Sequence, residues 1–238
     1  MTSFMGKVLR VDLSAGTAES LEIPARVYEA VLAGKGLEAW YLYNNIPAGA
    51  DPLGPENILA FAAGALCGTG AFLTGRWTVA CKSPLTGGWG DANCGGLFAP
   101  AIKQCGYDAI FISGIAERPV YLFCDGKTAE LRDASEYWGL DATEAEAALH
   151  RELDPVCRKK PCVAVIGPAG EKLSLISGIC NEGGRIAARC ARATSSASSS
   201  RSRADERFLK NEGSPFSRGA LKLSPKCRQL EAQNGNSF

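Results

Sequence analysis

Apolar and polar residues alternate in short runs along the first 190 residues, and a period of two is typical of half-buried strands. The clearest run, KVLRVDL at 7–13, is followed by a turn at 14–17 and a second run at 18–23, which predicts a hairpin. Helical runs are fewer. The whole pattern predicts strands at 7–13, 18–23, 58–63, 75–83, 108–113, 120–124, 128–131, 162–166 and 173–179, and helices at 24–33, 37–46, 97–105 and 141–153.

The order of these elements indicates the fold class. Strands come mostly in hairpins, and the helices lie between groups of strands instead of alternating with them one for one. This arrangement favours an α+β fold, mostly antiparallel with inserted helices, over a doubly wound parallel sheet. Residues up to about 189 are predicted to form one domain.

The last 49 residues have a different character. Residues 190–238 contain nine Lys or Arg against four Asp or Glu, and 192–203 read RATSSASSSRSR. Such a basic, Ser/Arg-rich segment buries too little apolar surface to offset the entropy of ordering itself, so we expect a disordered tail. A tail translated out of frame is favoured here over an RNA-binding tail.

Composition excludes some classes of function. The net charge is +1, which gives no sign of nucleic-acid binding, and no run of 18 apolar residues predicts a membrane span. The N-terminus lacks the apolar stretch of a signal peptide, so we expect a cytoplasmic protein. Ten cysteines are scattered singly and no two form Cys-x-x-Cys, which favours small buried side chains in a reducing compartment over a metal site.

Two glycine-rich segments carry the candidate chemistry. The first, GGWGDANCGG at 87–96, precedes the predicted helix at 97–105, where Asn93 is expected to be the N-cap. Arg76 lies upstream, and the second segment, NEGGRIAAR at 181–189, also joins glycines with arginines. Glycine lets a bound group approach the backbone, and arginine binds phosphate. The residues alone leave two alternatives open: a surface for a phosphorylated cofactor, or tight turns with surface arginines.

Several stretches resemble the N-terminal domain of the aldehyde:ferredoxin oxidoreductase family of tungsten-pterin enzymes. They occur in the family's order and together span residues 4–189. The stretches are GKVLRVDLSAGT at 6–17, DPLGPENILAFAAGALCGT at 51–69, GRWTVACKSPLTGGWGDANCGG at 75–96, CGYDAIFISGIAERPVYL at 105–122, RDASEYWG at 132–139, VIGPAGEKL at 165–173 and NEGGRIAAR at 181–189.

The resemblance implies a two-layered, mostly antiparallel domain that forms the base for two pterin cofactors sharing one tungsten, with molybdenum as the alternative metal. It implies a Mg²⁺ ion between the pterin phosphates, with Asn93 and the backbone carbonyl of Ile186 as protein ligands. The residues that match the family's cofactor contacts are Arg76, Asn93, Gly95, Arg185, Ile186, Ala188 and Arg189.

For function, the resemblance implies oxidation of aldehydes to carboxylic acids, with electrons passing through a [4Fe-4S] cluster to ferredoxin. The family's cluster ligands, a Cys-x-x-Cys-x-x-x-Cys run and one distant cysteine, have no counterpart in this chain. The resemblance also stops at 189, within a cofactor loop, so we expect a truncated chain that is inactive alone. The alternatives are a non-catalytic pterin-binding subunit of a split oxidoreductase and a subunit of an aromatic acyl-CoA reductase. Missing C-terminal domains, or a separate subunit carrying them, are the expected partners, and a homo-oligomer stays open.

Overall fold

The computed structural model describes residues 3–84, 86–155, 157, 160–172, 178–187 and 219–223. Within these ranges the strands form two six-stranded sheets. The strands are β1 Lys7–Asp12, β2 Thr17–Glu22, β3 Leu59–Ala63, β4 Trp77–Lys82, β5 Trp89–Cys94, β6 Ala109–Ser113, β7 Val120–Cys124, β8 Ala129–Asp133, β9 Cys162–Val165, β10 Ile179–Asn181, β11 Arg185–Ala187 and β12 Gly219–Leu223. The helices are α1 Ala25–Val31, α2 Lys35–Asn45, α3 Phe98–Gln104, α4 Ala142–Leu153 and α5 Pro168–Glu171, with a 3₁₀ turn at Ser135–Tyr137.

The first sheet has the order β2-β1-β6-β3-β4-β5, and the second has the order β11-β10-β9-β12-β7-β8. Neighbouring strands run antiparallel except for β1 with β6 and β12 with β7. The expected hairpin is present, with Lys7 opposite Glu22. The α+β class with mainly antiparallel sheets is therefore confirmed.

Three apolar clusters hold the layers together. The largest fills the space between the two sheets and includes α3, where the rings of Trp77 and Phe98 lie 5.1 Å apart. A second cluster packs α1 and α2 on the outer face of the first sheet. The third packs α4 on the outer face of the second sheet. The sheets are thus buried on one face by each other and on the other by helices.

Some strands were not predicted from the sequence. β5 lies in the glycine-rich segment at 87–96, where no strand was predicted, yet it pairs with β4 along its whole length, because the partner strand supplies the ladder that the glycines do not favour alone. β10 and β11 have three residues each, too few to show a period. Most of the strand predicted at 173–179 lies outside the described residues.

The tail contains one unexpected element. Gly219–Leu223 forms β12, which lies between β7 and β9 in the second sheet. The edges of β7 and β9 offer these five residues backbone partners that the composition of the tail does not reveal. The rest of 190–238 lies outside the described residues. The origin of the tail in another reading frame stays a prediction.

Composition led to expectations about the cysteines and about membrane-spanning segments. Of the eight cysteines in the described ranges, five are buried, as expected for small apolar side chains. Among the helices that the structure describes, none is both long and apolar enough to span a bilayer.

Candidate functional site

Arg76 and Asn93 are brought together by the pairing of β4 with β5. Thr78 of β4 lies opposite Asn93, and Arg76 precedes β4 by one residue, so the two side chains emerge at the same edge. Nε and Nη2 of Arg76 both donate to Asn93 Oδ1, the former at 3.0 Å. Asn93 therefore does not cap α3, as the sequence had suggested. The N-cap position is Leu97, which makes no side-chain capping bond.

Gly95 and Gly96 continue from β5 towards α3, and the absence of a side chain at Gly96 is required by another segment of the chain. Gly96 has a φ of +116°, and a Cβ there would lie 2.6 Å from the carboxylate oxygens of Glu182. A Cβ on Gly95 would lie 3.6 Å from Nη1 of Arg185. The glycines thus admit side chains from the tight turn between β10 and β11.

This turn is joined to the first segment by side-chain hydrogen bonds. The fully buried Asn181 accepts from Cys94 Sγ at 3.3 Å and donates Nδ2 to the carbonyl of Gly95 at 3.4 Å. Glu182 accepts from the backbone N–H of Leu97. The two glycine-rich segments, which sequence analysis treated as separate candidates, therefore form one surface.

A further carboxylate supports the turn from behind. Glu146 on α4 is buried, and its Oε1 and Oε2 accept from the N–H of Gly183 at 3.1 and 3.0 Å. Gly183 has a φ of +71°, a conformation that glycine adopts without strain. Through this contact the helix α4 fixes the position of the residues that precede Arg185.

The electrostatic character of the surface is mainly basic. Arg76 and Arg185 are exposed, and Nε of Arg185 lies 3.6 Å from Oε2 of Glu182. Burial raises the pKa of the Cys94 thiol, against the opposing effect of the Gly95 backbone and both guanidinium groups. A protonated thiol is a poor nucleophile and metal ligand. The chemistry that this surface offers is the binding of an anion by guanidinium groups and backbone amides.

The structure brings five of the seven predicted residues to this surface: Arg76, Asn93, Gly95, Arg185 and Ile186. Ala188 and Arg189 lie outside the described residues. In the described ranges, no three His, Cys, Asp or Glu side chains are placed to hold a metal ion.

Sequence reasoning missed Asn181, Glu182 and Glu146. The first two lie inside the NEGGR stretch that was singled out, but their contacts with Cys94, Gly95 and Leu97 span 85 to 87 residues, so no local pattern marks them. Nothing in the helical pattern of α4 marks Glu146, whose partner is 37 residues away.

Large apolar side chains are exposed beside the same surface. Phe72 and Leu73, in the loop that leads to Arg76, are 96% and 102% exposed, and Leu73 has a φ of +62°. Leu97 is 64% exposed and Ile186 is 48% exposed. Apolar side chains gathered beside a polar surface are typical of an interaction site.

Comparison with known proteins places these features in a family context. Residues 8–198 match the family model described as aldehyde ferredoxin oxidoreductase, N-terminal domain. The tungsten-containing aldehyde ferredoxin oxidoreductase of Pyrococcus furiosus is 42% identical over 184 residues, which is 77% of this chain and 30% of the relative. The aliphatic sulfonate oxidoreductase WOR-like subunit of the same organism is 33% identical over 183 residues, covering 72% of this chain and 29% of that protein.

Among solved structures, the active-site complex BamBC of benzoyl coenzyme A reductase with 1,5-dienoyl-CoA contains a similar chain. The TM-score is 0.81 with 31% identity, and the match covers 94% of this chain and 31% of that one. This chain thus spans about a third or less of the length of the relatives it matches.

Proposed function

Because the chain belongs to the aldehyde ferredoxin oxidoreductase family, we propose that residues 4–189 form the cofactor-binding N-terminal part of a tungsten or molybdenum pterin oxidoreductase that oxidises aldehydes to carboxylic acids. Ferredoxin is the proposed electron acceptor. The observation that carries this proposal is the meeting of Arg76, Asn93, Gly95 and Arg185 at one exposed surface. These residues match the family's pterin contacts and come from segments about 90 residues apart in the sequence.

The residues present fit a phosphorylated pterin. Arg185 would bind phosphate oxygens through paired N–H groups, Arg76 would use the N–H groups that Asn93 Oδ1 does not accept, and Gly95 and Gly96 would let the ligand approach the backbone. Ala188 and Arg189 are proposed to extend these contacts. The bound metal would supply the two-electron, oxygen-atom chemistry, while these side chains would bind and orient the cofactor.

The proposed Mg²⁺ ligands fit under two conditions. The first is that Arg76, whose Nε and Nη2 both donate to Asn93 Oδ1, turns away and frees that oxygen. The second is a balance of charge. The amide of Asn93 and the carbonyl of Ile186 are neutral oxygen donors, and Asn93 Oδ1 accepts from Arg76. Two neutral donors beside two arginines would not attract a free divalent cation. They fit a Mg²⁺ ion whose charge is balanced by the phosphates of the ligand, the manner in which Mg²⁺ commonly binds in phosphate sites.

Electron transfer requires groups that we assign to a partner. The proposed [4Fe-4S] cluster would be held by the remaining domains of a longer polypeptide or by a separate subunit. The exposed side chains of Phe72, Leu73 and Leu97 beside the arginines support such a partner, because it would cover them. On this view the chain alone binds cofactor and is not catalytic.

The alternative function is a subunit of a split oxidoreductase or of an aromatic acyl-CoA reductase. It is supported by the similarity to a WOR-like subunit and to a chain of the benzoyl coenzyme A reductase complex. The test is co-expression with a second polypeptide, encoded by a neighbouring gene, that carries the cluster cysteines. Assays of the complex with an aldehyde and with an aromatic acyl-CoA would show which of these two substrate classes it converts.

The first test is the cofactor content of the purified full chain. We expect tungsten or molybdenum and pterin near one metal per chain, and a loss of most of both in Arg76→Ala and Arg185→Ala. Arg26→Ala, which removes an exposed arginine on α1, is the matched control and should retain them. A folded chain that contains neither metal nor pterin would rule out the proposed platform.

A further inference from the structure

We propose that Glu182 is a positioning residue, whose carboxylate joins the two glycine-rich segments and holds Arg185 over Gly95 for binding of a phosphate-bearing ligand. The class of ligand rests on the proposed function, whereas the positioning contacts are visible in the structure. Neither the sequence motifs nor the matched cofactor contacts assigned Glu182 a role.

The first observation is the contact across the two segments. The Glu182 carboxylate accepts from the N–H of Leu97, which is 85 residues away in the chain. It also fills the space beside Gly96, so that any side chain at position 96 would displace it. A hydrogen bond to an ionised carboxylate is stronger than one between neutral groups, so this contact fixes the spacing of the two segments.

The second observation is the backbone of Glu182 itself. Its φ of +47° lies in the left-handed region, where residues with a side chain are strained and where glycine or asparagine would be expected. Two glycines with φ values of +71° and +111° follow directly, so Glu182 is the residue of this turn that carries a side chain at a positive φ. A strained residue at a functional surface is often retained because its side chain is used.

The third observation is the orientation of Arg185. Oε2 of Glu182 lies 3.6 Å from Nε of Arg185, and Nη1 at the other edge of the guanidinium lies against Gly95. The Glu182 side chain is 25% exposed, against 58% for Arg185. The carboxylate thus lies at the Nε edge of the guanidinium, and the Arg185 side chain is exposed enough for a phosphate group to reach it.

Removal of the Glu182 carboxylate distinguishes a positioning role from competition with the ligand for Arg185. If Glu182 competed with the ligand for Arg185, removal of the carboxylate would strengthen anion binding. If it positions Arg185, removal would weaken binding, because the guanidinium would lose its preferred orientation.

The experiment measures binding of inorganic pyrophosphate to the full chain by titration calorimetry. We expect Glu182→Ala to weaken binding by about tenfold, the effect of one charge-assisted hydrogen bond. Glu182→Gln, whose amide oxygen still accepts from Leu97, should restore part of the loss. Glu171→Gln is the matched control, because Glu171 also accepts a backbone N–H, that of Gly139 at 2.9 Å, away from this surface.

A double-mutant cycle with Arg185→Ala tests whether Glu182 acts through the guanidinium. In the Arg185→Ala background, Glu182→Ala should have little further effect on binding. Equal or tighter binding by Glu182→Ala alone, or fully additive losses, would overturn the proposal.

Amide hydrogen exchange keeps the proposal testable if the native chain does not bind pyrophosphate. That result would count against the proposed anion surface, while the contact of Glu182 would be judged by the Leu97 amide. We expect protection of this amide in the native chain and its loss in Glu182→Ala. An amide that exchanges equally fast in both would overturn the positioning role.

Discussion

Two fully buried carboxyl groups lie beside the α1–α2 layer, and their surroundings are opposite. Asp108 accepts from the N–H groups of Met5 at 3.1 Å and Gly6 at 2.9 Å, from the hydroxyl of Tyr28 at 2.7 Å, and from Lys103, whose ammonium is also buried. Glu38, on α2, has no hydrogen-bond partner for either oxygen among the described residues. One group is fully satisfied and the other is not.

The difference indicates which part of the molecule is built for stability. Asp108 ties the N-terminal segment, α1 and the start of β6 together. Glu38 lies close to Thr78, which is opposite Asn93 across the β4–β5 pair. An unsatisfied buried group is costly, and natural proteins tolerate such costs mostly near functional sites. Glu38, the carboxyl group without hydrogen-bond partners, therefore lies close to the strand pair that carries Asn93 of the candidate surface.

Burial also sets the charge state of Glu38. It raises the pKa of this carboxyl to about 8, and the nearby Asp91 adds to the shift. Lys35 lowers the pKa, as do the Thr78 hydroxyl and the Ala62 backbone, although neither of the last two is placed to form an ordinary hydrogen bond with it. Glu38 is thus mostly protonated at neutral pH, whereas Asp108 has a cationic partner.

The largest expected effect comes from replacing Asp108, the buried carboxylate whose hydrogen bonds are satisfied. Asp108→Ala should lower the free energy of unfolding by about 3–5 kcal/mol, because it leaves the Lys103 ammonium buried without a carboxylate, with the Ser3 carbonyl at 3.3 Å as its remaining acceptor. Urea unfolding followed by circular dichroism measures this loss. Lys103→Met should cost less, because Asp108 keeps three donors from Met5, Gly6 and Tyr28. Equal losses in the two variants, or a loss below about 1 kcal/mol for Asp108→Ala, would remove the contrast with Glu38.

The second prediction concerns the pH dependence that Glu38 adds to stability. Its pKa is 4.5 in an unperturbed chain and about 8 in the folded protein, so the folded state binds the proton more tightly. The stabilisation from this proton is fully present below pH 4.5 and is lost as the pH rises to about 8. The loss should reach a few kcal/mol at most, since one pKa unit corresponds to about 1.4 kcal/mol.

Glu38→Met removes the titrating group and keeps an unbranched side chain. Its advantage in unfolding free energy over the native chain should grow between pH 5 and pH 8 and then level off, as measured by urea titrations across this range. Glu29→Met, at an exposed position of α1, should show no such trend. A constant difference between the Glu38 variant and the native chain at every pH would show that Glu38 is satisfied in a way the structure does not reveal.

The comparison also shows what sequence reasoning can reach. The β1–β2 hairpin and α4 were predicted because their signals are local, namely alternation in the first case and a capping residue in the second. Asp141, at the start of the predicted helix 141–153, is a residue type that favours the N-cap; it accepts from the N–H of Glu144 at 2.8 Å and forms a capping box. By contrast, the partners of Asp108 and Glu38 come mostly from distant segments, and composition does not tell a satisfied buried acid from an unsatisfied one.

The candidate surface was predicted in part, because the resemblance named some of its residues while their contacts depend on the fold. The resemblance grouped Arg76, Asn93 and Arg185, and the pairing of β4 with β5 brings the first two together. The physical role expected for Asn93 was wrong, because a strand forms where a helix cap was predicted. Glu182 was missed because its contact with Leu97 depends on how the two sheets pack, which no local pattern encodes.

The smallest expected effect concerns Glu146, whose surroundings are intermediate between those of Asp108 and Glu38. It is buried and accepts from one backbone donor, the N–H of Gly183, while Nε2 of His150 lies 3.8 Å from its Oε1. Glu146→Ala should lower the unfolding free energy by about 1.5–3 kcal/mol, the range for a hydrogen bond to a charged group. Glu171→Ala is a close geometric match, since its carboxylate accepts from Gly139 at 2.9 and 3.0 Å.

The variants Glu146→Ala and Glu171→Ala should differ in which part of the structure they loosen. If α4 supports the candidate surface through Glu146, Glu146→Ala should speed amide exchange at Gly183 and weaken pyrophosphate binding, whereas Glu171→Ala should leave both unchanged. Because Gly183 precedes Arg185 by two residues, a loosened turn would move the same guanidinium that Glu182 orients. Equal exchange rates at Gly183 in both variants would mean that the turn is held by Asn181 and Glu182 alone, and that burial of Glu146 serves the packing of α4.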